Sequence, residues 1–111
     1  MTTSAKNLKA IIEYFEINKN EMARAIGVDA SLVSRWISGT RRLRAASPRM
    51  DALAEYLLAH SERVHDLEWM KAQFEAAGLP TDLSSVYSAK QNLIMWLASD
   101  GEDLRRNLGA P

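Results

Sequence analysis

Residues 20–39 read NEMARAIGVDASLVSRWISG. Met22, Ala23 and Ile26 fall on one side of a short helix that Gly27 can end, because glycine accepts a left-handed backbone without steric cost. Val28 and Asp29 then turn the chain, and Asp29 is placed to cap a second helix from about Ala30, with Val33, Trp36 and Ile37 on its apolar side. Gly39 ends it. Two helices of about two turns cannot persist alone in water, so they must be held by packing. Ala23, small enough for a close crossing, sits four residues before Gly27; Val33 follows six after it and Trp36 three further on. That order of small residue, turn glycine and apolar anchor is the spacing of a helix-turn-helix.

Before this stretch, Leu8, Ile11, Ile12 and Phe15 recur at i, i+3, i+4 and i+7 behind Thr3 and Ser4, either of which can cap, and predict a first helix over roughly 5–16. Asn18-Lys19-Asn20 breaks that pattern. After Gly39 comes an arginine-rich loop, and Ser47-Pro48 predicts the start of a fourth helix, since proline at the first helical position loses no hydrogen bond. Its buried stripe is Met50, Leu53, Ala54, Leu57 and Leu58. Val64, Leu67, Met70 and Phe74 predict a fifth helix, stopped at Gly78-Leu79-Pro80. Thr81 or Asp82 can cap a sixth, carrying Val86, Leu93, Ile94 and Leu97. A last segment holds Leu104 and Leu108 and ends in Gly109-Ala110-Pro111, which reads as a linker or a fragment end. No stretch reads as a strand, so the expected class is all-α.

The chain has 111 residues, enough for one real core; 47% are apolar and 25% charged, the balance of a soluble helical domain. It has no cysteine, which excludes disulfides, thiolate metal sites and cysteine nucleophiles. The start carries no apolar signal core, and no apolar run approaches the roughly 20 residues that span a bilayer, so no membrane association and a cytoplasmic location are expected. The net charge of zero conceals a division: residues 1–60 carry nine Lys/Arg against six Asp/Glu, and residues 61–111 five against eight. Polyanion binding therefore belongs to the first half. Between Asp29 and Asp51 stand Arg35, Arg41, Arg42, Arg44 and Arg49 with no acid among them, a local field suited to a phosphate backbone.

The residues Met22-Ala23, Ile26-Gly27-Val28, Val33, Trp36-Ile37 and Ser38-Gly39 resemble the helix-turn-helix of the phage repressor and Cro-like, or xenobiotic-response-element, family of bacterial transcription regulators. With the flanking helices the likeness spans about residues 5–60. It implies a lambda-repressor-like DNA-binding domain over 1–60, followed by a helical extension over 61–111. In that family the third helix lies in the major groove and the second crosses the backbone. The resemblance thus implies base reading by Ala30, Ser31, Ser34 and Arg35. Arg35 is the strongest of these, because a guanidinium can donate two hydrogen bonds to guanine. It implies phosphate contact by Lys19, Asn20, Ser38, Thr40, Arg41, Arg42 and Arg44. Lys19-Asn20 stands where the family often has a glutamine, and a lysine there serves phosphate rather than a buttressing bond.

The expected partner is double-stranded DNA, with no cofactor and no enzymatic chemistry. His60 and His65 have no third ligand at metal-binding spacing, and no glycine-rich phosphate loop or serine elbow occurs. Trp69, Phe74, Tyr87, Met95 and Trp96 are more large apolar groups than one stripe needs; they either extend the core or form a homodimer interface through residues 61–111. Trp36, by its spacing from Val33, is expected in the core or at its rim. Two other readings fit the same residues: an antitoxin-like protein-interaction module, and the N-terminal DNA-binding part of a longer sensor.

Overall fold

A computed structural model describes residues 3–99, in which six helices succeed one another: α1 (Thr3–Tyr14), α2 (Lys19–Ile26), α3 (Ala30–Ser38), α4 (Met50–Leu58), α5 (Val64–Ala76) and α6 (Val86–Ala98). Among the described residues there is no strand, so the chain is all-helical there. The segment with Leu104, Leu108 and Gly109-Ala110-Pro111 lies outside them.

The apolar periodicities land as their spacing dictates. Leu8, Ile11, Met22, Val33, Leu53 and Leu57 from the first four helices are fully buried, in one cluster with Met70, Phe74, Leu93, Trp96 and Leu97 from the last two. The core thus runs without a break across residue 60. Helix α6 is the reason, since it packs against both α4 and α1, while α2 and α3 pack on each other. Trp36 belongs to this core. Of the large apolar residues of the second half, Phe74 and Trp96 are buried and Trp69 is half-buried, stacked on Tyr14 with centroids 4.2 Å apart. Tyr87 and Met95 are exposed.

The end of α6 and the start of α1 meet. The last carbonyls of a helix have no partner within it and must find one elsewhere. Asn7 Nδ2 donates to the Trp96 carbonyl at 2.9 Å, and the buried Ser4 hydroxyl donates to the Leu97 carbonyl. Ser4 therefore does not cap α1, as its position near the start suggested; α1 already begins at Thr3, and Ser4 faces inward to serve another helix. Nearer the start of α6, Lys90 Nζ donates to Glu55 of α4 at 3.0 Å and lies 3.7 Å from Asp51. The bond to Glu55 holds the ammonium's pKa above its usual value.

Other boundaries differ from the sequence expectation. The first helix ends at Tyr14 rather than near 16, because Glu16 takes a left-handed backbone (φ 54°) and the Ile17 amide reaches back to the Ile12 carbonyl at 2.9 Å. The fourth helix begins at Met50, not at Ser47-Pro48: Arg49 is left-handed (φ 71°), which no α-helix tolerates in its interior. Helix α6 is capped by Ser85, whose hydroxyl accepts from the Ser88 amide at 3.0 Å; Asp82 instead accepts from the Ser84 amide in the preceding turn. The hydroxyl and amide bonds from Ser84 lower the Asp82 pKa. Val64 and Val86, expected in the buried stripes, are exposed, because each opens its helix beyond the packed stretch. The buried stripe of α5 is Asp66, Met70 and Phe74, with Asp66 accepting from Tyr14 Oη at 2.9 Å. Loss of water around the phenol, and then this carboxylate, raise the Tyr14 pKa.

A fragment of residues 1–60 would lack α6 and expose the faces of α1 and α4 that it covers. We expect the fragment to show no cooperative thermal transition by far-UV circular dichroism, whereas the full chain unfolds in one step. A sharp transition in the fragment would mean that the first four helices form a self-sufficient domain.

Candidate nucleic-acid interface

Helix α2 starts at Asn18, whose side chain accepts from the Glu21 amide at 3.1 Å and so sets Lys19 and Asn20, both exposed, on the first turn. Its other end is closed by Gly27 (φ 78°), which lets the Val28 amide turn back to the Ala23 carbonyl at 2.9 Å. Only three residues separate α2 from α3. Asp29 opens α3 through its carbonyl, which accepts from Leu32 at 3.0 Å and Val33 at 3.4 Å. Its side chain makes no cap bond, contrary to the sequence expectation; the carboxylate stays in water, where forgoing one bond to a solvated amide costs little.

At 3.6 residues per turn, Ser31, Ser34, Arg35 and Ser38 share one stripe of α3, and all four are exposed. Val33 and Trp36 point the opposite way, into the core; Ala30 lies on the flank, half-buried. Burial of the inner stripe thus fixes which side chains of α3 face outward. Gly39 (φ 82°) then ends the helix, and the Arg35 carbonyl draws in the residues after it, accepting from Ser38 Oγ and from the Arg41 amide, each at 3.1 Å. Ser38 Oγ and Thr40 Oγ1 are hydrogen-bonded at 2.9 Å. Ser38, Thr40 and Arg41 are therefore gathered at the C-terminal end of α3.

The loop beyond carries Arg41, Arg42 and Arg44, all exposed, around Leu43, which is buried. Leu43 belongs to no helical periodicity and so escapes a reading by pattern; being the sole large apolar residue among the arginines is its signal in the sequence. Its carbonyl also lies 3.4 Å from Ser4 Oγ, tying the loop to α1. Further on, the Arg44 amide donates to Ser47 Oγ at 2.8 Å, and the Met50 amide to the Ser47 carbonyl at 3.1 Å. Arg49 reaches back to the turn after α2, where a Cβ on Gly27 would lie 3.7 Å from its guanidinium carbon. Positive charge is favoured beside the carbonyl end of a helix.

The surface so assembled has exposed hydroxyls and one arginine on α3, exposed arginines on the adjoining loop, and Lys19 and Asn20 on α2. Such a set can donate hydrogen bonds and attract anions but offers no nucleophile–base pair. His60 and His65 are elsewhere: His60 Nδ1 is bonded to the Tyr56 carbonyl at 2.9 Å, and among the described residues no group of three potential metal ligands occurs. Among them, too, no helix is long and apolar enough to cross a membrane. Compared with protein-family models, curated proteins and solved structures, the chain matches none.

Gly27 is the joint on which α3 is aimed. Gly27→Ala would force a side chain into a left-handed backbone, although the added Cβ meets only ordinary contacts. We expect a loss of about 1–2 kcal/mol in urea unfolding, with helix content unchanged in the native state.

Proposed function

We propose that this protein is a sequence-specific double-stranded DNA-binding regulator of transcription, a repressor of the lambda-repressor-like helix-turn-helix kind, acting in the cytoplasm by binding rather than by catalysis. The observation that carries the reading is the polarity of α3. Its exposed stripe of Ser31, Ser34, Arg35 and Ser38 lies opposite buried Val33 and Trp36, and it leads directly into an acid-free loop of exposed arginines.

On this reading α3 enters the major groove. Arg35 donates two hydrogen bonds to a guanine edge, worth about 1–3 kcal/mol of discrimination. Ser31 and Ser34 donate to or accept from neighbouring bases, and the Ala30 methyl touches a thymine methyl. Lys19 and Asn20 at the start of α2, with Ser38, Thr40, Arg41, Arg42 and Arg44 at and beyond the end of α3, take the flanking phosphates. Each phosphate neutralised releases counterions and steepens the dependence of affinity on salt by about 0.9 in the logarithmic slope. Repression results from occupying a site that polymerase needs.

One small module reads few base pairs, and a twofold pair reads two half-sites about 34 Å apart. We place the homodimer contact in residues 61–111. Phe74 and Trp96 are committed to the core, which leaves the exposed Val64, Val86, Tyr87 and Met95 as the apolar surface for it. The net acidity of this half keeps it off DNA.

Selection of bound duplexes from a random pool should enrich a palindromic motif, and Arg35→Ala should relax the preference at one position of each half-site. Arg41→Ala should weaken binding to all sequences alike and lower the salt slope by about 1. An unenriched pool with folded wild-type protein would refute the reading. Sedimentation should find a dimer at micromolar concentration that Tyr87→Glu with Met95→Glu returns to a monomer; a wild-type monomer both with and without DNA would rule out the dimer.

A further inference from the structure

Beside α3 the turn and the loop enclose a half-open cavity of about 270 Å³, two of whose lining residues, Arg41 and Arg42, the DNA-binding reading assigns to phosphate. Its apolar wall is Val28 from the turn, Leu32 and Trp36 from α3, and Pro48 from the loop; Arg41, Arg42, Arg49 and Ser47 complete it. Three arginines and no acid thus stand among its lining residues. A cavity that merely awaited water would have polar walls to bond it. One that merely completed the core would not place three cations at its edge.

Two of those cations have no anionic partner. Arg41 and Arg49 have no ion pair or side-chain hydrogen bond among the described residues. Ser47 Oγ accepts from the Arg44 amide at 2.8 Å and still has its own proton to donate. Every polar side chain in the lining can donate, and the nearest acids in the chain, Asp29 and Asp51, are not among the lining residues. Donors in the fork geometry of arginine suit an anion that presents two oxygens side by side, as a carboxylate does. The apolar wall selects a hydrophobic body. The volume, just under the usual range of about 300–1,000 Å³ for drug-sized ligands, restricts that body to one or two rings.

We propose that this cavity is a binding site for a small apolar carboxylate, its ring or alkyl body on Val28, Leu32, Trp36 and Pro48 and its carboxylate on Arg41, Arg49 and the Ser47 hydroxyl. The consequence for regulation rests on the DNA-binding reading above. An arginine engaged by the carboxylate cannot hold a phosphate, so Arg41 is withdrawn from DNA when the cavity fills. The ligand also lies between α3 and the loop, the two elements that must approach the duplex together. Occupancy therefore releases DNA.

The test uses the full chain and two probes of nearly the same shape, 2-naphthoate and its uncharged amide. In titrations monitored by amide chemical shifts, the acid should move Val28, Leu32, Trp36, Arg41, Ser47 and Arg49 together. It should bind at least about tenfold more tightly than the amide, the worth of one charge-assisted contact. Arg49→Gln, an exposed substitution whose dispersed spectrum verifies the fold, should weaken the acid by about tenfold and leave the amide unchanged. Equal binding of acid and amide, shifts scattered elsewhere, or indifference to Arg49→Gln would overturn the site. In a second arm, saturating 2-naphthoate should weaken the selected duplex in the wild type and lose that effect in Arg49→Gln. Duplex binding unaltered by a bound acid would overturn the regulatory link. A protein that binds the acid but no duplex would instead refute the DNA-binding reading and leave the carboxylate site standing.

Discussion

Three carbonyls decide how this molecule closes. Trp96 and Leu97 bring two carbonyls from the last turn of α6, the Trp96 oxygen already accepting from the Ser99 amide and hydroxyl, and Leu43 brings another from the arginine loop. Asn7 donates to the Trp96 carbonyl, and the single Ser4 proton goes to the Leu97 carbonyl, with the Leu43 carbonyl 3.4 Å from the same hydroxyl oxygen. An unsatisfied buried carbonyl costs about 1–3 kcal/mol, so a seating of α6 that lost Ser4 would forfeit such a term at Leu97. The first helix, the last described helix and the loop between α3 and α4 are locked at one junction by two short side chains. The start of α1 also brings its positive dipole end to the negative end of α6.

This junction explains how a run of like charges can be held in order. Four of the five arginines of the acid-free stretch lie in the loop and repel one another, and such a loop left to itself would spread into solvent. Leu43 buries its side chain in the core and its carbonyl meets Ser4, while Ser47 receives the Arg44 amide. The loop backbone is fixed although its arginines are exposed to water. Like-charge concentration of this kind costs stability, and it becomes favourable once an anion lies across it.

The second half of the chain serves the first. Helix α6 completes the core between α1 and α4, and α5 is fastened beside it by Phe74 in the core, by the stack of Trp69 on Tyr14, and by the Asp66 carboxylate on the Tyr14 hydroxyl. The boundary near residue 60 is therefore one of charge and not of packing. One continuous core carries a half with excess arginine and lysine and a half with excess acid.

The positions of α2 and α3, the three-residue turn and the buried Val33 and Trp36 were all legible in the sequence, because periodicity and a turn glycine act over a few residues and leave a local mark. The exposure of Ser31, Ser34 and Arg35 came from the same arithmetic, since burying one stripe of a helix exposes the opposite one. The features that escaped were those that join distant residues. Ser4 looked like a cap and is a tertiary donor; Val64 and Val86 looked like core and are exposed; Arg49 occupies a left-handed backbone that no local rule assigns to arginine. A helical pattern states that a residue is apolar, not whether another element reaches it. The cavity beside α3 arises from the turn, α3 and the loop folding around a common space. Residue order alone was enough for the helices and for the buried side of α3, through interactions spanning one or two turns. Which helix ends meet, where the loop is pinned and what the arginines enclose were settled by the packed fold, because they depend on hydrogen bonds and contacts between residues tens of positions apart.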